Sequence, residues 1–398
     1  MLTAQTNTGK SICLGFDYKK DTLLDLRSKE EFYCPICGER VLLKLGDQRI
    51  FHFAHKQVGT CRNFYENESI SHMEGKRQLY QWLVGQKIPA ILEYYDREIQ
   101  QRPDIIFHHN GKKYALEYQC STISDSNFIK RTNSYLQKGY IPIWILASSQ
   151  IHNKKKNIVA LSNFQYLFLR TTSSGKFYIP AYCPEKQQFH LIDSIHPYSI
   201  KKAFAHHTFH PIMKMNVNDI VEPKVKLSFD SSSWTREIEK FILNWTIHPN
   251  KQHKAFLHEI YNKNLNPFLL PPEIGLPVSH SLLLQTPAII WQTYLYMDFI
   301  AAKRPDDLIS LHEINFHLQK RLSKKQIVVR NLPQLEPVNP LLAITDYLLL
   351  LEQLGILAKK GETTFQLKKA ISIPKSNRER EEAKLAFFQK YHRIQSIK

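Results

Sequence analysis

The sequence predicts an α/β (α+β) protein whose central unit runs α-β-β-β-α-β, and three local patterns support this order. Asn110-Gly111 between alternating apolar residues is a strong hairpin signal, because both central positions of such a turn need positive φ. Helical patterns over 67–85 and 126–136 flank the hairpin. The largely apolar run 141–147 is typical of a strand buried on both faces, and a right-handed crossover places it parallel to the hairpin.

Each element of the central unit follows from its own pattern. The first helix is expected to begin at Asn67, whose side chain can cap the free amides of the first turn. A strand is expected over 90–98, and the two hairpin strands over 102–109 and 112–120. The expected domains are an N-terminal module over 1–65, the central unit over 66–150 and a mainly helical C-terminal region over 151–398.

A pair of carboxylates is the most informative feature of the hairpin. A two-residue turn places Asp104 directly opposite Glu117, and Arg102 opposite Gln119. Like charges at such positions, with Cβ atoms about 4.5–5.5 Å apart, destabilise a sheet. Divalent cations such as Mg²⁺ or Mn²⁺ prefer carboxylate oxygens, so the pair predicts a catalytic metal site. The alternatives are a plain cross-strand salt bridge with Arg102, or a one-residue slip that puts the two acids on opposite faces.

The first helix carries further polar candidates for the same site. Glu68, His72 and Lys76 recur every four residues and therefore share one helix face. Lys76 would supply an ammonium group, Glu68 a third carboxylate, and His72 a contact to phosphate or water. All three are candidate catalytic residues.

The N-terminal module contains a candidate zinc site. Cys34-Pro-Ile-Cys37 places two thiolates on a tight turn, and His52, His55 and Cys61 follow as further ligands of the kind that tetrahedral Zn²⁺ takes. The fourth ligand stays open between two sets, in which either His52 or Cys61 joins the two cysteines and His55. The two histidines could instead be ordinary surface residues. Zinc would be structural here, because so small a module lacks a sufficient core.

Composition limits the class of partner and compartment. The 398 residues carry a formal net charge of +18 and a pI of about 9.5, which favours nucleic acid over a basic protein without such a partner. No apolar run approaches the roughly 18 residues that a membrane span needs, and residues 1–4 do not open a signal peptide. The expected location is the cytoplasm. The six cysteines are too few and too uneven for a disulfide framework in a chain of this length.

The C-terminal region offers one further motif. The helical pattern over 341–354, followed by two short strand patterns over 355–367, looks like a recognition helix with a β-wing. A helical scaffold that ends in a hairpin explains the same pattern. Both interpretations predict a mainly helical region that binds DNA or a protein partner.

The spacing of the acids resembles a known nuclease signature. The spacing is similar to the PD-(D/E)xK motif of restriction-endonuclease-like folds: Asp104 is followed by twelve residues and then by Glu117-x-Gln119. Glutamine stands where that motif usually has lysine. In that reading the two acids hold Mg²⁺ or Mn²⁺ against the scissile phosphate, and the metal lowers the pKa of a bound water. A neutral amide at Gln119 can orient this water but cannot accept its proton.

The chain is identified as a member of the competence protein CoiA family by motifs spread over residues 1–150. They are Tyr33-Cys34-Pro35-x-Cys37, His52-Phe53-Ala54-His55, Glu68-Ser69-x-x-His72-x-x-x-Lys76, Arg102-Pro103-Asp104, Glu117-Tyr118-Gln119, Arg131-x-x-x-Tyr135 and Trp144-Ile145-Leu146. The resemblance assigns Asp104, Glu117 and Gln119 to the nuclease triad. It assigns Glu68, His72 and Lys76 to the helix positions, and Cys34 and Cys37 to the zinc knuckle. The family itself carries the glutamine variant.

The resemblance also implies a function. It implies a bacterial cytosolic nuclease-like protein, made during competence, that promotes recombination of imported single-stranded DNA near the recombinase RecA. The favoured prediction is therefore a Mg²⁺- or Mn²⁺-dependent deoxyribonuclease with a zinc module. The alternative is a non-enzymatic, DNA-binding recombination mediator on a degenerate nuclease fold. An RNA substrate stays open, because basic charge does not discriminate sugars.

Overall fold

The structure is a computed structural model. It describes residues 1–47, 49–56, 68–155, 157–225, 231–335 and 337–395. In these ranges the chain forms a five-stranded sheet, a ten-stranded sheet and a helical region with a three-stranded sheet. The mixed α/β class is confirmed, and so is the mainly helical character of the last third of the chain.

The N-terminal module is a five-stranded sheet in the order β2-β1-β3-β4-β5 with one helix. Its elements are β1 (Thr3–Thr6), β2 (Ser11–Cys13), α1 (Lys20–Lys29), β3 (Phe32–Tyr33), β4 (Arg40–Lys44) and β5 (His52–His55). Its buried residues Leu2, Leu43 and Phe53 belong to the same hydrophobic cluster as Leu79 and Leu116 of the central unit. The module therefore shares its core with the central unit, as expected for a segment too small to bury enough apolar surface alone.

The central unit has the predicted element order. It contains α2 (Ile70–Gly85), β6 (Ala90–Leu92), β7 (Ile105–His109), β8 (Lys112–Gln119), α3 (Asp125–Gln137) and β9 (Tyr140–Ala147). The hairpin register is confirmed, since Phe107 pairs with Tyr114 and the turn residues Asn110 and Gly111 have φ of 50° and 71°. Strand β9 lies parallel to β8, with Trp144 opposite Glu117. Its two faces enter two different hydrophobic clusters, as a doubly covered strand requires.

Two predicted element boundaries in this unit are wrong. Helix α2 is capped by Ser69, whose side chain accepts a hydrogen bond from the amide of His72 at 3.1 Å, whereas the expected cap Asn67 lies outside the described residues. The strand expected over 90–98 ends at Leu92. It ends there because Glu93 adopts a φ of 52°, a left-handed conformation that a strand cannot contain.

The predicted boundary at residue 150 is also wrong, because the large sheet continues to Pro211. The added elements are β10 (His152–Lys155), β11 (Ile158–Ala160), α4 (Asn163–Tyr166), β12 (Arg170–Thr171), β13 (Phe177–Cys183), β14 (Gln188–Pro197), β15 (Lys202–Pro211) and α5 (Val217–Val221). The path is β10-β11-β15-β14-β13-β9-β8-β7-β6, with β12 beside β13. Strand β13 covers the second edge of β9, an edge that would otherwise expose unpaired backbone groups.

The C-terminal region is mainly helical and includes a small sheet in the order β16-β18-β17. Its elements are α6 (Ser231–Ile247), α7 (Lys251–Asn262), α8 (Ala288–Leu295), β16 (Leu308–Ser310), α9 (Leu311–Ser323), α10 (Leu341–Gln353), β17 (Leu357–Lys359), β18 (Thr364–Leu367) and α11 (Asn377–Gln395). Within the described ranges, no helix has the length and apolar character needed to cross a bilayer.

The recognition-helix interpretation of the C-terminal motif is wrong, although the hairpin after it is present. Helix α10 buries Ile344, Tyr347, Leu348 and Leu351 in the largest hydrophobic cluster, and its sequence contains no lysine or arginine. A helix that reads DNA must expose polar or basic side chains to the groove. Helix α10 therefore serves as a core element of the C-terminal region.

Candidate active site and metal centre

A glycine sets the distance between helix α2 and the hairpin. A Cβ atom placed on Gly75 would lie 2.1 Å from Cε1 of Tyr118, which is far inside van der Waals contact. The helix backbone consequently approaches β8 more closely than any other residue would allow. This approach brings the polar face of α2 against the carboxyl end of the hairpin.

Asp104 lies at the junction of α2 and the hairpin and is buried. Its Oδ2 accepts a hydrogen bond from the backbone amide of Tyr118 at 2.9 Å and lies 3.1 Å from Nε2 of His72. Its Oδ1 lies 3.5 Å from Nζ of Lys76. His72 and Lys76, which the sequence places on one face of this helix, are therefore both in contact with Asp104.

Lys76 is the centre of a buried ion network. Its side chain is 0% exposed, and its Nζ lies 2.6 Å from Oε1 of Glu68 and 2.6 Å from Oε1 of Glu93. Three carboxylates, including Asp104, thus surround one ammonium group. Burial alone would lower the pKa of Lys76, but Glu68 and Glu93 outweigh it and raise that pKa above its ordinary value. Lys76 is cationic at any physiological pH.

Glu93 is a site residue that the sequence analysis missed. It is 3% exposed, and its Oε2 accepts hydrogen bonds from the amides of Leu2 and Thr3 at 2.9 and 3.1 Å and from the Thr3 hydroxyl at 3.0 Å. Arg102 lies 3.8 Å from the same oxygen. Glu93 thereby joins strand β1 of the N-terminal module to Lys76. No motif marks it, since an isolated glutamate at the end of a short strand has the appearance of a solvated side chain.

The network keeps its acids ionised. Burial alone would raise the pKa of Asp104, but His72 and Lys76 outweigh it and hold the pKa well below its ordinary range. The pKa values of Glu68 and Glu93 are likewise lowered, because Lys76 outweighs the effect of burial. Burial alone would lower the pKa of His72, yet the Asp104 carboxylate raises it above its ordinary value.

Glu117 has a separate set of partners on helix α3. It is buried on β8, and Nη2 of Arg131 lies 2.5 Å from its Oε1. The hydroxyl of Tyr135 donates a short hydrogen bond to the same oxygen. Burial alone would lower the pKa of Arg131, but Glu117 outweighs it and raises that pKa. Arg131 and Tyr135 are four residues apart and so lie on one helix face, a spacing that could have marked them as partners of a carboxylate.

The expected cross-strand pairs at the open end of the hairpin do not form as predicted. The ladder ends at Ile105 opposite Leu116, and beyond it Asp104 contacts α2 while Glu117 contacts α3. Arg102 lies 3.5 Å from Glu68, so it contacts the buried network. Gln119 is buried and its Nε2 donates to the carbonyl oxygen of Ser121 at 2.9 Å. Separate cations thus relieve the repulsion that the register predicts between the two acids.

A second cluster in the N-terminal module suits a metal ion. The ligand atoms of Cys34, Cys37 and His55 all lie within 4.8 Å of one another, with Cys37 Sγ 3.4 Å from His55 Nε2. The turn between the cysteines is closed by a hydrogen bond from the amide of Gly38, at φ 72°, to the carbonyl of Cys34. Two thiolates and an imidazole are ligands that Zn²⁺ prefers, so the residues present fit this metal.

The structure also bears on the fourth zinc ligand. His52 is not part of the cluster, and its Nδ1 lies 2.9 Å from the carbonyl oxygen of Ile50. The physical reason is that residues three apart on strand β5 point to opposite faces of the sheet. The set that includes His52 is therefore wrong. The remaining candidate, Cys61, lies outside the described residues.

These observations define a class of protein: a mixed α/β chain with buried carboxylates beside a hairpin and a cysteine–histidine cluster whose ligand atoms could hold a metal ion. Models for three domains of one family match the chain: Competence protein CoiA, N-terminal domain, over residues 15–64, the nuclease-like domain over 68–225, and the C-terminal domain over 229–380. The chain is 35% identical to Competence protein CoiA of Bacillus subtilis (strain 168) over 270 residues, which is 68% of this chain and 72% of that protein.

The chain belongs to the competence protein CoiA family. No solved structure matches it. The nuclease-like match ends at residue 225, beyond the predicted boundary at 150, in agreement with a sheet that continues through β15.

Proposed function

We propose that this protein is a Mg²⁺- or Mn²⁺-dependent deoxyribonuclease that acts on DNA during bacterial competence. The observation that carries the proposal is Asp104, a buried carboxylate held ionised by His72 and Lys76 and followed by Glu117 on the next strand. Burying an ionised carboxylate away from water costs free energy unless the group is fully paired, and such groups are concentrated at functional sites. The α-β-β-β-α-β order around it supports assignment to the PD-(D/E)xK folds.

Each side chain has a proposed role. Asp104 and Glu117 would hold the divalent metal, and the chemistry that such an ion would supply is a lower pKa for a bound water and stabilisation of charge on the phosphate. Arg131 and Tyr135 fix the orientation of the Glu117 carboxylate. Gln119 orients the water. His72, whose pKa the Asp104 carboxylate raises, would contact a phosphate oxygen or the attacking water.

Lys76 receives a different role from the one that its spacing predicts. Because its side chain is fully buried among three carboxylates, its ammonium group is not available to a phosphate in this arrangement. We propose that Lys76 is a positioning residue that fixes Asp104 and Glu93. Glu68 acts in the same network, since it contacts the buried cations Lys76 and Arg102 and the N-terminal ammonium of Met1 at 3.4 Å.

The test of the nuclease proposal is a cleavage assay with isosteric variants. Purified protein is incubated with single-stranded, duplex and branched DNA in Mg²⁺ or Mn²⁺, alongside Asp104→Asn and Glu117→Gln. We expect each variant to lose at least 100-fold in cleavage rate with its fold retained. The matched control is Glu98→Gln, which removes an exposed carboxylate that pairs with Lys138 at 2.9 Å and should leave cleavage unchanged.

A second candidate function is supported by the partners of the acids. Arg131 already neutralises Glu117, and a glutamine occupies the usual lysine place, so the site also suits a DNA-binding mediator without cleavage. Absence of cleavage on every DNA substrate, with binding intact, would favour this candidate. Contact with the recombinase RecA and action on RNA stay predictions of the sequence analysis.

We further propose that Cys34, Cys37 and His55 bind a structural Zn²⁺ ion. Metal analysis of the protein should show about one equivalent of zinc, and the Cys34→Ser/Cys37→Ser variant should lose it, because a hydroxyl is a poor zinc ligand. The control is Cys183→Ser on strand β13, whose thiol is remote in sequence from the cluster and should leave the zinc content unchanged. Equal zinc in all three proteins contradicts the site.

A further inference from the structure

Strand β1 connects the candidate zinc cluster with the buried ion network. It is paired with β3, which ends at the residue before the candidate ligand Cys34. Just before β1, the carbonyl oxygen of Met1 accepts a hydrogen bond from the amide of Phe53 at 2.9 Å. Phe53 lies on β5, which also carries the candidate ligand His55. Residues 1–6 are therefore bonded to both strands that adjoin the cluster.

Glu93 holds the same segment from the side of the central unit. Its Oε2 accepts hydrogen bonds from the amides of Leu2 and Thr3 and from the Thr3 hydroxyl, and its Oε1 lies 2.6 Å from Nζ of Lys76. The same nitrogen lies 3.5 Å from Oδ1 of Asp104. All the side chains that make these contacts are buried. One buried path of contacts therefore connects β1 with Asp104, through Glu93 and Lys76.

The contacts of Glu93 make this path sensitive to the position of β1. A buried carboxylate that loses its hydrogen-bond donors carries an uncompensated cost of desolvation. If β1 moved away, Glu93 would lose three hydrogen bonds and would depend more strongly on Lys76. The ammonium group would then shift towards Glu93 and away from Asp104. The position of β1 consequently determines how closely a cation approaches the proposed catalytic carboxylate.

Arg102 provides a second connection between the cluster and the network. Its Nη2 lies 3.5 Å from Oε1 of Glu68, and its Nη1 lies 3.8 Å from Oε2 of Glu93. Burial alone would lower the pKa of Arg102, but Glu93 and Glu68 outweigh it and raise that pKa. The Cys34 thiol acts in the same direction, so the guanidinium group lies within electrostatic range of a candidate zinc ligand.

A metal ion in the cluster would cross-link the strands that hold β1. Strands β3 and β5 are short, with two and four residues, so few backbone hydrogen bonds fix them. The candidate ligands come from the turn after β3 and from β5 itself. Metal binding in small modules contributes directly to the free energy of folding. Loss of the ion would therefore loosen the two strands to which residues 1–6 are bonded.

We propose that Thr3 and Glu93 are positioning residues that couple the zinc cluster to Asp104 across strand β1. The inference rests on the proposed zinc site and on the proposed nuclease function, and it names a control of that function, the metal state of the cluster. Coupling between two sites is reciprocal. A weaker contact at Glu93 must therefore weaken zinc binding, just as loss of zinc weakens the contact. The coupling can thus be measured without any cleavage reaction.

The first measurement is the zinc affinity of the full chain, by competition with a chromogenic chelator. We expect Glu93→Gln to raise the Kd for zinc about 5- to 150-fold, and Thr3→Val, which removes one donor to Glu93, about fivefold or more. Thr3→Ser retains the hydroxyl and should stay within about twofold of the parent. The matched control is Thr6→Val on the same strand, whose hydroxyl lies 2.8 Å from that of Thr8 and whose loss should not change the Kd.

Hydrogen exchange reports on the other end of the path. The amide of Tyr118 donates to Oδ2 of Asp104, so its protection depends on the position of that carboxylate. In the variant Cys34→Ser/Cys37→Ser, which lacks two zinc ligands, this amide should exchange about 10-fold faster than in the zinc-loaded parent. Thr6→Val should leave its exchange unchanged.

The kinetics of cleavage separate coupling from a general loss of stability. Both Thr3→Val and Cys34→Ser/Cys37→Ser should lower kcat and leave KM unchanged, because the position of Asp104 affects the reaction and not the binding of DNA. The combination of the two changes should lose no more than the larger single loss, because both interrupt one path. Thr3→Ser should restore the parent kcat.

Each alternative outcome overturns the proposal. A Kd for zinc that is the same in the parent, Glu93→Gln and Thr3→Val removes the coupling. An equal rise in Thr6→Val shows a general loosening of β1. Unchanged exchange at Tyr118 without zinc, or losses of kcat that add in the combined variant, show that the module and Asp104 act independently. A parent protein that binds no zinc overturns the zinc site and the coupling together.

The result is distinguishable from failure of the nuclease proposal. A parent protein that shows the coupled zinc affinity and the change in exchange at Tyr118, but cleaves no DNA, refutes the nuclease and supports the coupling. A parent protein that cleaves DNA, with Glu93→Gln and Thr3→Val variants that bind zinc normally, refutes only the coupling.

Discussion

Substitution of Lys76 by methionine tests the buried ion network most directly. Methionine retains the length and apolar stem of lysine but removes the ammonium group. The carboxylates of Glu68, Glu93 and Asp104, all within 3.5 Å of Nζ, then lose their shared cation. The lysine side chain is 0% exposed, so its ammonium group interacts with these carboxylates out of contact with solvent.

The size of the effect follows from burial. Removing one partner of a buried ion pair costs about 3–5 kcal/mol, because an uncompensated charge stays in a medium of low polarity. We therefore expect Lys76→Met to lower the free energy of unfolding by about this amount at pH 7.5. A typical domain has about 5–15 kcal/mol in total, so the variant should be folded but markedly less stable.

The pH dependence provides the diagnostic readout. In the parent, the lowered pKa values of the three acids contribute stability above the ordinary carboxylate pKa, and this stability is lost as the pH falls through their lower folded values. In Lys76→Met the same acids keep His72, Arg102 and the N-terminal ammonium nearby but lose one of the positive charges that lower their pKa values. We expect their pKa values to rise, so that protonation on acidification relieves the strain. The difference between the two proteins should consequently be largest at pH 7.5 and shrink towards pH 5.

Urea unfolding, followed by circular dichroism at both pH values, measures this difference. The matched control is Lys138→Met, which removes one exposed ion pair with Glu98 and should change the unfolding curve little. A difference below about 1 kcal/mol at pH 7.5, or one that is equal at pH 7.5 and pH 5, would refute the network as described.

Two further substitutions test the supports of the two acids. Gly75→Ala places a methyl group 2.1 Å from the Tyr118 ring, so α2 must move away from β8. This change should lower the free energy of unfolding by roughly 1–3 kcal/mol and reduce cleavage, and thermal unfolding measures the loss of stability. The control is Gly85→Ala, where an added Cβ meets nothing within 4 Å. Tyr135→Phe removes the hydroxyl that donates to Glu117 and leaves the contact with Arg131 in place. It should lower the cleavage rate about 10-fold, because a hydrogen bond to a buried carboxylate contributes about 1–3 kcal/mol, while DNA binding is unchanged. Unaltered cleavage in Tyr135→Phe would show that Arg131 alone positions Glu117.

The sequence by itself determined the features that depend on neighbouring residues. Asn110-Gly111 fixed the hairpin and its register, because only a few residues accept positive φ at both turn positions. The short spacing of Cys34 and Cys37 brought two thiolates to one turn. The apolar run of β9 identified a strand with two covered faces.

The tertiary structure decided which charged groups meet. Glu93 contacts Leu2 and Thr3, about ninety residues away in the chain, and no local pattern records such a contact. The acids of the hairpin contact different helices because Asp104 lies beyond the last β7–β8 pair and contacts α2, whereas Glu117 lies within β8, opposite Trp144, and contacts α3. The sequence pattern did not reveal that the sheet continues through β13. Strands with mixed polar and apolar residues become recognisable only once they lie beside the edge strand that they cover. Turn conformation depends on neighbouring residues and can be predicted from the sequence. Ion pairs and the pairing of edge strands depend on how distant segments are finally arranged.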